Sequence, residues 1–242
     1  HREMLSSVFA FMRARIEAHE EDGFAARTLF QLEENFRGNE ALTAYPSETL
    51  YNGSYISQQP GILIETRPPL DANSDDPVDF MLHPDRAVVL CSYAAPVSYT
   101  ARNPLEAELV ASVAARLAGI LVRPGDGTAG DAAWFANDGF AILSPHRAQN
   151  SAIRDALARR GFGTDARPMP LVDTVDKLQG QEREVVVVSY GVADEAYAEA
   201  EAEFLLSSHR FNVATTRPRR KLIVFCSDAV LDVVPQDREV LL

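Results

Sequence analysis

Apolar residues recur along this chain in two rhythms. Short runs dense in β-branched side chains stand at Ala87–Cys91, Ala141–Leu143, Leu171–Val172, Val185–Val188 and Leu222–Cys226. A run such as Val185-Val186-Val187-Val188 has no polar face to turn to water, so it reads as a strand covered on both sides. Between the runs the period changes. Leu105, Leu109, Val113 and Leu117 align at i, i+4 spacing, and Ile153 and Leu157 repeat it. Asn103 is placed to cap the first of these helices, Pro104 suits its first turn, and Glu106 is placed to reach back to the cap. Strands alternating with helices predict an α/β fold, a parallel sheet between two helix layers.

The flanks are less regular. Leu5, Val8, Phe9, Met12 and Ile16 fall on one helical face, Thr28 to Phe36 reads as extended, and Gly38 to Pro46 as a short helix. Residues 58–86 are rich in Pro, Asp, Asn and Ser, which predicts a surface excursion with one strand at Ile62 to Glu65. Gly125 to Asp138 reads as a loop, in which Trp134 and Phe135 are either a partner contact or an anchor folded back on the core. The acidic stretch 192–206 reads as a solvated loop or helix. There is no internal repeat, so the reading is one domain over residues 1–242. His1 stands where an initiating Met is usual, so the chain reads as a piece of something longer.

Composition narrows the choice of function. An apolar fraction of 46% supports a sizeable core, and no apolar run approaches the ~20 residues that span a bilayer, so no membrane partner is expected. Cys91 and Cys226 each close a strand run, as core thiols in a reducing, cytoplasmic setting do. His1, His19, His83, His146 and His209 share no metal-ligand spacing with them. The net charge of −12 is unusual for a freestanding nucleic-acid binder, so any such contact must come through a local patch or another domain. In an open parallel sheet, ligands gather outside the carboxyl ends of the strands. Ser144, Asp173 with Thr174, and Ser189 each follow a strand run; they are suited to phosphate oxygens and equally suited to capping the next helix.

Four segments separate these alternatives. Glu34-Asn35-Phe36-Arg37, followed by Tyr45-Pro46-Ser47 and Leu50-Tyr51-Asn52-Gly53, resembles helicase motif IV and the helix after it. Ser144-Pro145-His146-Arg147-Ala148-Gln149 resembles the (Thr/Ser)-Pro-Tyr-Arg-x-Gln segment of the same proteins. Thr174-Val175-Asp176-Lys177-Leu178-Gln179-Gly180-Gln181-Glu182 resembles motif V, and His209-Arg210-Phe211-Asn212-Val213-Ala214-Thr215-Thr216-Arg217 is similar to motif VI. In that order they resemble the C-terminal, second RecA-like domain of superfamily 1 helicases, of the group containing the nonsense-mediated-decay and senataxin-type enzymes. Phe36 and His146 stand where Tyr is usual, Leu178 replaces an aromatic, and Pro218 follows the motif VI arginine where Ala is common.

The resemblance implies a RecA-like sheet without a P-loop of its own, completing an ATP site held by a partner. Arg37 and Arg217 match the arginine fingers that stabilise charge on the γ-phosphoryl group. Glu182 matches the carboxylate beside the nucleotide ribose, Gln179 and Gly180 the turn next to it, and Arg210 a supporting position. Ser144 and Thr174 match hydroxyls that contact single-stranded DNA or RNA, with Arg147 and Gln149 close by. ATP and Mg²⁺ are expected mainly on the N-terminal RecA-like domain of the parent chain. The sequence holds no Gly-x-x-x-x-Gly-Lys-(Ser/Thr) loop, and Gly125-Asp126-Gly127-Thr128-Ala129-Gly130 lacks its lysine, so the domain alone is expected to be inactive. The side chains of residues 37 and 217 are expected together, at the carboxyl rim. The alternative is a degenerate helicase-like domain used as a protein-interaction scaffold.

Overall fold

The computed structural model describes residues 8–18, 30–125 and 127–233. They fall into two compact units, His1–Glu34 and Asn35–Leu242. In the first unit a helix runs Val8–Glu17 (α1). Leu5 and Thr28, and the side chains of Val8 and Phe9, lie outside the described residues; Met12 is half exposed.

The second unit is built on five parallel strands: Val88–Tyr93 (β1), Phe140–Leu143 (β2), Leu171–Asp173 (β3), Arg183–Ser189 (β4) and Pro218–Ser227 (β5). Their order across the sheet is β1-β5-β4-β2-β3. This is the α/β parallel sheet between helix layers that the alternation of runs and periodic stretches predicts, and the RecA-like arrangement that the resemblance implies. Strand β4 shows why an uninterrupted valine run is needed: Val185 and Val187 enter one core with Ile142 and Ile223, while Val186 and Val188 enter the other with Leu143 and Val224. Helices Pro104–Ala118 and Arg147–Arg159 cover the first face through Val110, Val113, Leu117, Ile153 and Leu157. The second face is covered by Leu42 of helix Glu40–Leu50 (α2), Ala198 of Glu195–Ala200, Leu205 of Ala202–Leu205, and Ala214 of Ser208–Thr215. In chain order after α2, Pro77–Leu82 is α3, Pro104–Ala118 α4, Arg147–Arg159 α5, Glu195–Ala200 α6, Ala202–Leu205 α7 and Ser208–Thr215 α8.

Three local expectations change. Residues 58–86 are mostly exposed but anchored to the core: Ile64, Leu70, Met81 and Leu82 are buried there, and helix α3 starts where Asp76 accepts the Val78 amide at 2.8 Å. The buried amine of Lys221 on β5 donates to the carbonyls of His83 (3.0 Å) and Arg86, which fastens the end of that segment. Ile62 to Glu65 forms no strand; the nearest pairing is a single bridge between Thr66 and Leu121.

The stretch Gly125 to Asp138 is not wholly a loop. Asp131 caps a short helix Ala132–Trp134 that widens into a π turn over Phe135–Gly139. Phe135 stacks on Phe140 with centroids 5.2 Å apart, so Trp134 and Phe135 are core anchors. Finally, Asn103 caps α4 as expected, accepting the Glu106 amide at 3.1 Å, but the Glu106 carboxylate does not return the bond. The Asn103 amide goes instead to Gln149 Oε1 at 2.8 Å.

Candidate functional site

Two of the resemblance segments lead into strands, and this decides where their arginines sit. Gly180 turns the chain at φ +79°, a left-handed conformation that costs a glycine little, and Glu182 follows immediately before β4. Helix α8 runs back beneath the sheet, ends at Thr215, and delivers Arg217 immediately before β5. The Arg217 carbonyl accepts the Arg183 amide at 3.1 Å, so the two strand starts are tied side by side.

Arg37 arrives from the other end of the chain. Asn35 Oδ1 accepts the Arg37 amide at 2.9 Å, which folds the segment into a tight turn. Asn39 then caps α2 through the Leu42 amide and donates to the carbonyls of Ile62 and Arg220, each at 2.9 Å. Of these two asparagines, whose role the sequence reading missed, Asn35 shapes the arginine-bearing turn and Asn39 bolts it to the start of β5.

The result is one cluster. Arg37 Nε donates to Glu182 Oε2, and its Nη1 to the Thr216 carbonyl at 3.0 Å. Arg219 donates to the other Glu182 oxygen and, at 3.0 Å, to Glu184 Oε1; Arg220 meets Glu184 Oε2 at 2.9 Å. Arg217 bonds the Val213 carbonyl and the Thr216 hydroxyl, each at 3.2 Å. Burial raises the Glu182 carboxyl, but bonds from Arg219 and Arg37 outweigh it and hold the group below the usual range. Burial, reinforced by the like charge of Arg37, depresses the Arg217 guanidinium, which stays charged because its ordinary value is so high. Tyr55, stacked on Tyr51 at 4.6 Å, is close enough to feel the charge of both Arg37 and Arg217. Three guanidiniums thus meet two carboxylates, Arg217 stands beside them within reach of the Glu182 charge, and the side chain of Arg37 remains 37% exposed. Such a surplus of half-exposed forks suits phosphate oxygens.

Arg37 and Arg217 therefore share one cluster, but it lies at the amino ends of β4 and β5, not at the carboxyl rim. The reason is covalent: each cluster residue stands just before a strand or in its first residues, or is tied to one that does. Arg210 does not join them. One helix turn into α8, it stacks over Phe204 at 4.3 Å and borders an apolar pocket with Ser144, Val175 and Val188, near the opposite end of the sheet.

At that carboxyl end the remaining candidates separate by burial. Thr174 is half buried at the start of a 3₁₀ turn, Val175–Leu178, and its hydroxyl makes no cap bond. Arg147 is exposed at the first position of α5. Ser144 is almost wholly buried, its amide donating to the Asp173 carbonyl at 3.0 Å and its hydroxyl 3.4 Å from the His146 amide. Gln149 is fully buried and both ends of its amide are engaged, Oε1 by Asn103 and Nε2 by the Ser189 hydroxyl at 3.0 Å. It cannot touch a strand directly. Ser189, expected at the rim, is likewise interior. Gln179 and Gly180 are exposed, on the turn between Thr174 and Glu182.

Among the described residues no helix is long and apolar enough to cross a membrane, and no three His, Cys, Asp or Glu side chains gather as a metal site. Cys91 and Cys226 are both free thiols, and burial pushes Cys226 up to about 12.

Residues 12–229 match the AAA domain family model AAA_12. Over 193 residues, 79% of its length, the chain is 25% identical to the DNA-binding protein SMUBP-2 of Rattus norvegicus and covers 17% of that protein. It is 28% identical over 161 residues to the DNA replication ATP-dependent helicase/nuclease JHS1 of Arabidopsis thaliana, covering 64% of this chain and 10% of the other. To the DNA replication ATP-dependent helicase/nuclease DNA2 of Bos taurus it is 36% identical over 100 residues, 41% of this chain and 9% of that one. The chain thus spans less than a fifth of the length of each of these three relatives. A family match over nearly its whole length, on a parallel RecA-like sheet, places this chain in the AAA domain family of superfamily 1 helicases.

Proposed function

We propose that this chain is the second motor domain of an ATP-dependent DNA or RNA helicase or translocase. An N-terminal RecA-like partner domain holds most of the ATP and its Mg²⁺, and this domain reaches it from outside. Phosphoryl transfer to water supplies the energy. The work of these residues is to meet the negative charge that grows on the γ-phosphoryl oxygens. Arg37 and Arg217 do this, Glu182 orients the ribose side and keeps Arg37 aimed, and Gln179 and Gly180 shape the adjacent turn. The observation that carries the reading is convergence: arginines 180 positions apart meet around one glutamate, half exposed, with guanidiniums in surplus.

Strand β4 links this cluster to the far end of the sheet, where exposed Arg147 and half-buried Thr174 face single-stranded nucleic acid, with Ser144 buried behind them. Closure on the nucleotide is thereby coupled to grip on the strand. The test is Arg217→Ala in the full-length protein. Nucleic-acid-stimulated ATP hydrolysis should fall by about 10³-fold or more, with strand binding retained. Unchanged hydrolysis rejects the finger assignment. The net charge of −12 favours the second reading, a helicase-like scaffold for another protein; it predicts no ATPase response to any residue of the cluster.

A further inference from the structure

A second polar assembly, buried rather than half exposed, lies beneath the carboxyl end of the sheet. At its centre is Glu106, fully buried in the first turn of α4. Its Oε1 accepts the Ser189 hydroxyl at 2.5 Å and the Gly191 amide at 2.9 Å, and its Oε2 accepts the Tyr93 hydroxyl. Ser189 accepts Gln149 Nε2 at 3.0 Å, Gln149 Oε1 accepts the Asn103 amide at 2.8 Å, and Asn103 Nδ2 donates to Tyr93 at 2.8 Å. The circuit closes on itself. It joins the ends of β1 and β4, the loop at Gly191, and the first turns of α4 and α5. No arginine or lysine pairs with Glu106 among the described residues.

Nothing in the arginine cluster uses this circuit, and a carboxylate without a cation is a costly group to bury. Its three hydrogen bonds have a consequence for the surface. Gln149 lies two residues beyond Arg147 and five beyond Ser144, in the turn that carries both. Gly191 stands at φ +69°, and a Cβ there would meet the Gln149 side chain at 2.6 Å, so loop and helix start are packed without slack. Whatever holds Gln149 and Gly191 holds the rim.

We propose that Glu106 is a positioning residue: through Ser189, Gly191 and Gln149 it fixes the carboxyl-end loops that carry Ser144 and present Arg147. This rests on the reading of that end as strand-facing, and the experiment keeps the two apart. Glu106→Leu, similar in size and without acceptors, removes the hub. Glu106→Gln keeps one oxygen for Ser189 and Gly191. Hydrogen exchange of the full chain should show the amides of Asn103 and Gly191 opening about tenfold or more faster in Glu106→Leu, largely restored in Glu106→Gln. The Arg183 amide, at the opposite end of the sheet, should be unchanged. Ser189→Ala, which deletes one hydroxyl, gives a milder loosening at the same amides and serves if Glu106→Leu does not fold.

Uniform acceleration at both ends of the sheet, or equal loosening in the Leu and Gln variants, overturns the proposal. Binding of oligo-dT and oligo-U by fluorescence anisotropy is read in parallel. Rim amides that open with binding unaltered leave Glu106 as the positioning residue and refute the strand-facing rim instead.

Discussion

The two ends of this sheet solve different problems with the same polar residue types. At the amino end, Arg37 and Arg219 meet Glu182 in bonds that water still reaches, their side chains 37% and 41% exposed, while Arg219 and Arg220 share the buried Glu184 and Arg217 stands alongside. At the carboxyl end, Glu106, Gln149, Asn103 and Ser189 have no exposure at all. Half-exposed ion pairs are cheap to open, because water screens them and replaces lost bonds. A fully buried circuit is costly to break, because each orphaned group loses its partner without regaining solvent. The amino end is therefore built to exchange partners and the carboxyl end to stay still. Position along the strands, not residue type, separates a surface that meets a charged ligand from a frame that holds one.

This contrast can be broken in several ways. The largest effect expected is on catalysis: Arg37→Ala in the full-length protein should lower stimulated ATP hydrolysis by about 10³-fold, while affinity for oligo-dT stays within about twofold. Steady-state kinetics and anisotropy on one preparation check both. Loss of strand affinity at that site would end the division of labour between the two ends.

The next effect concerns pH. Burial pushes the Glu106 carboxyl up to about 7, against the hydrogen bonds from Ser189, Tyr93 and Gly191 that pull it down. Below the unfolded value of about 4.5 the group is neutral in both states. From there to about 7 the folded protein keeps a proton that the unfolded chain releases, so stability falls as pH rises through that window and levels off above it. The change is on the order of 3 kcal/mol at most. Urea denaturation of Glu106→Gln from pH 4.5 to 8 should show that slope removed relative to the unsubstituted chain.

Stability sharpens the comparison further. Gln149→Ala strands the Asn103 amide and should cost about 1–3 kcal/mol. Arg219→Ala, at a site water reaches, should cost about 1 kcal/mol or less. Chemical denaturation of the two variants side by side tests the order; a larger loss for Arg219→Ala would reverse it. The smallest effect is on salt dependence. Removing exposed Arg147 should reduce the slope of log affinity for a single strand against log salt by about 0.7, measured by anisotropy over a salt series.

How legible was this in the chain? The sheet was written in the valine run and its fellows, since the middle of a strand covered on both faces favours an unbroken apolar run. The cap at Asn103 was visible for the same local reason. Residues 58–86 were legible only in part because Pro, Asp and Asn describe backbone that turns, which says nothing about whether Leu82 or Ile64 finds a core. Trp134 was ambiguous because burial of a lone aromatic depends on what folds over it. Glu106 was legible as a capping residue and not as a hub, because its partners Ser189 and Gly191 stand more than eighty positions away. The asparagines at 35 and 39 carried a signal, a turn-forming residue beside each end of the Arg37 segment, that only contact with β5 makes meaningful.

By itself, the sequence determined which segments become strands and helices, and which arginines and carboxylates resemble those of a helicase domain; both follow from local periodicity and from side-chain identity. Only the tertiary structure decided which end of the sheet each group occupies, which polar side chains face water, and that Arg37 and Arg219 share Glu182 with Arg217 beside them. Those outcomes depend on contacts between distant segments, where burial sets the cost of every charge, and no local pattern encodes them.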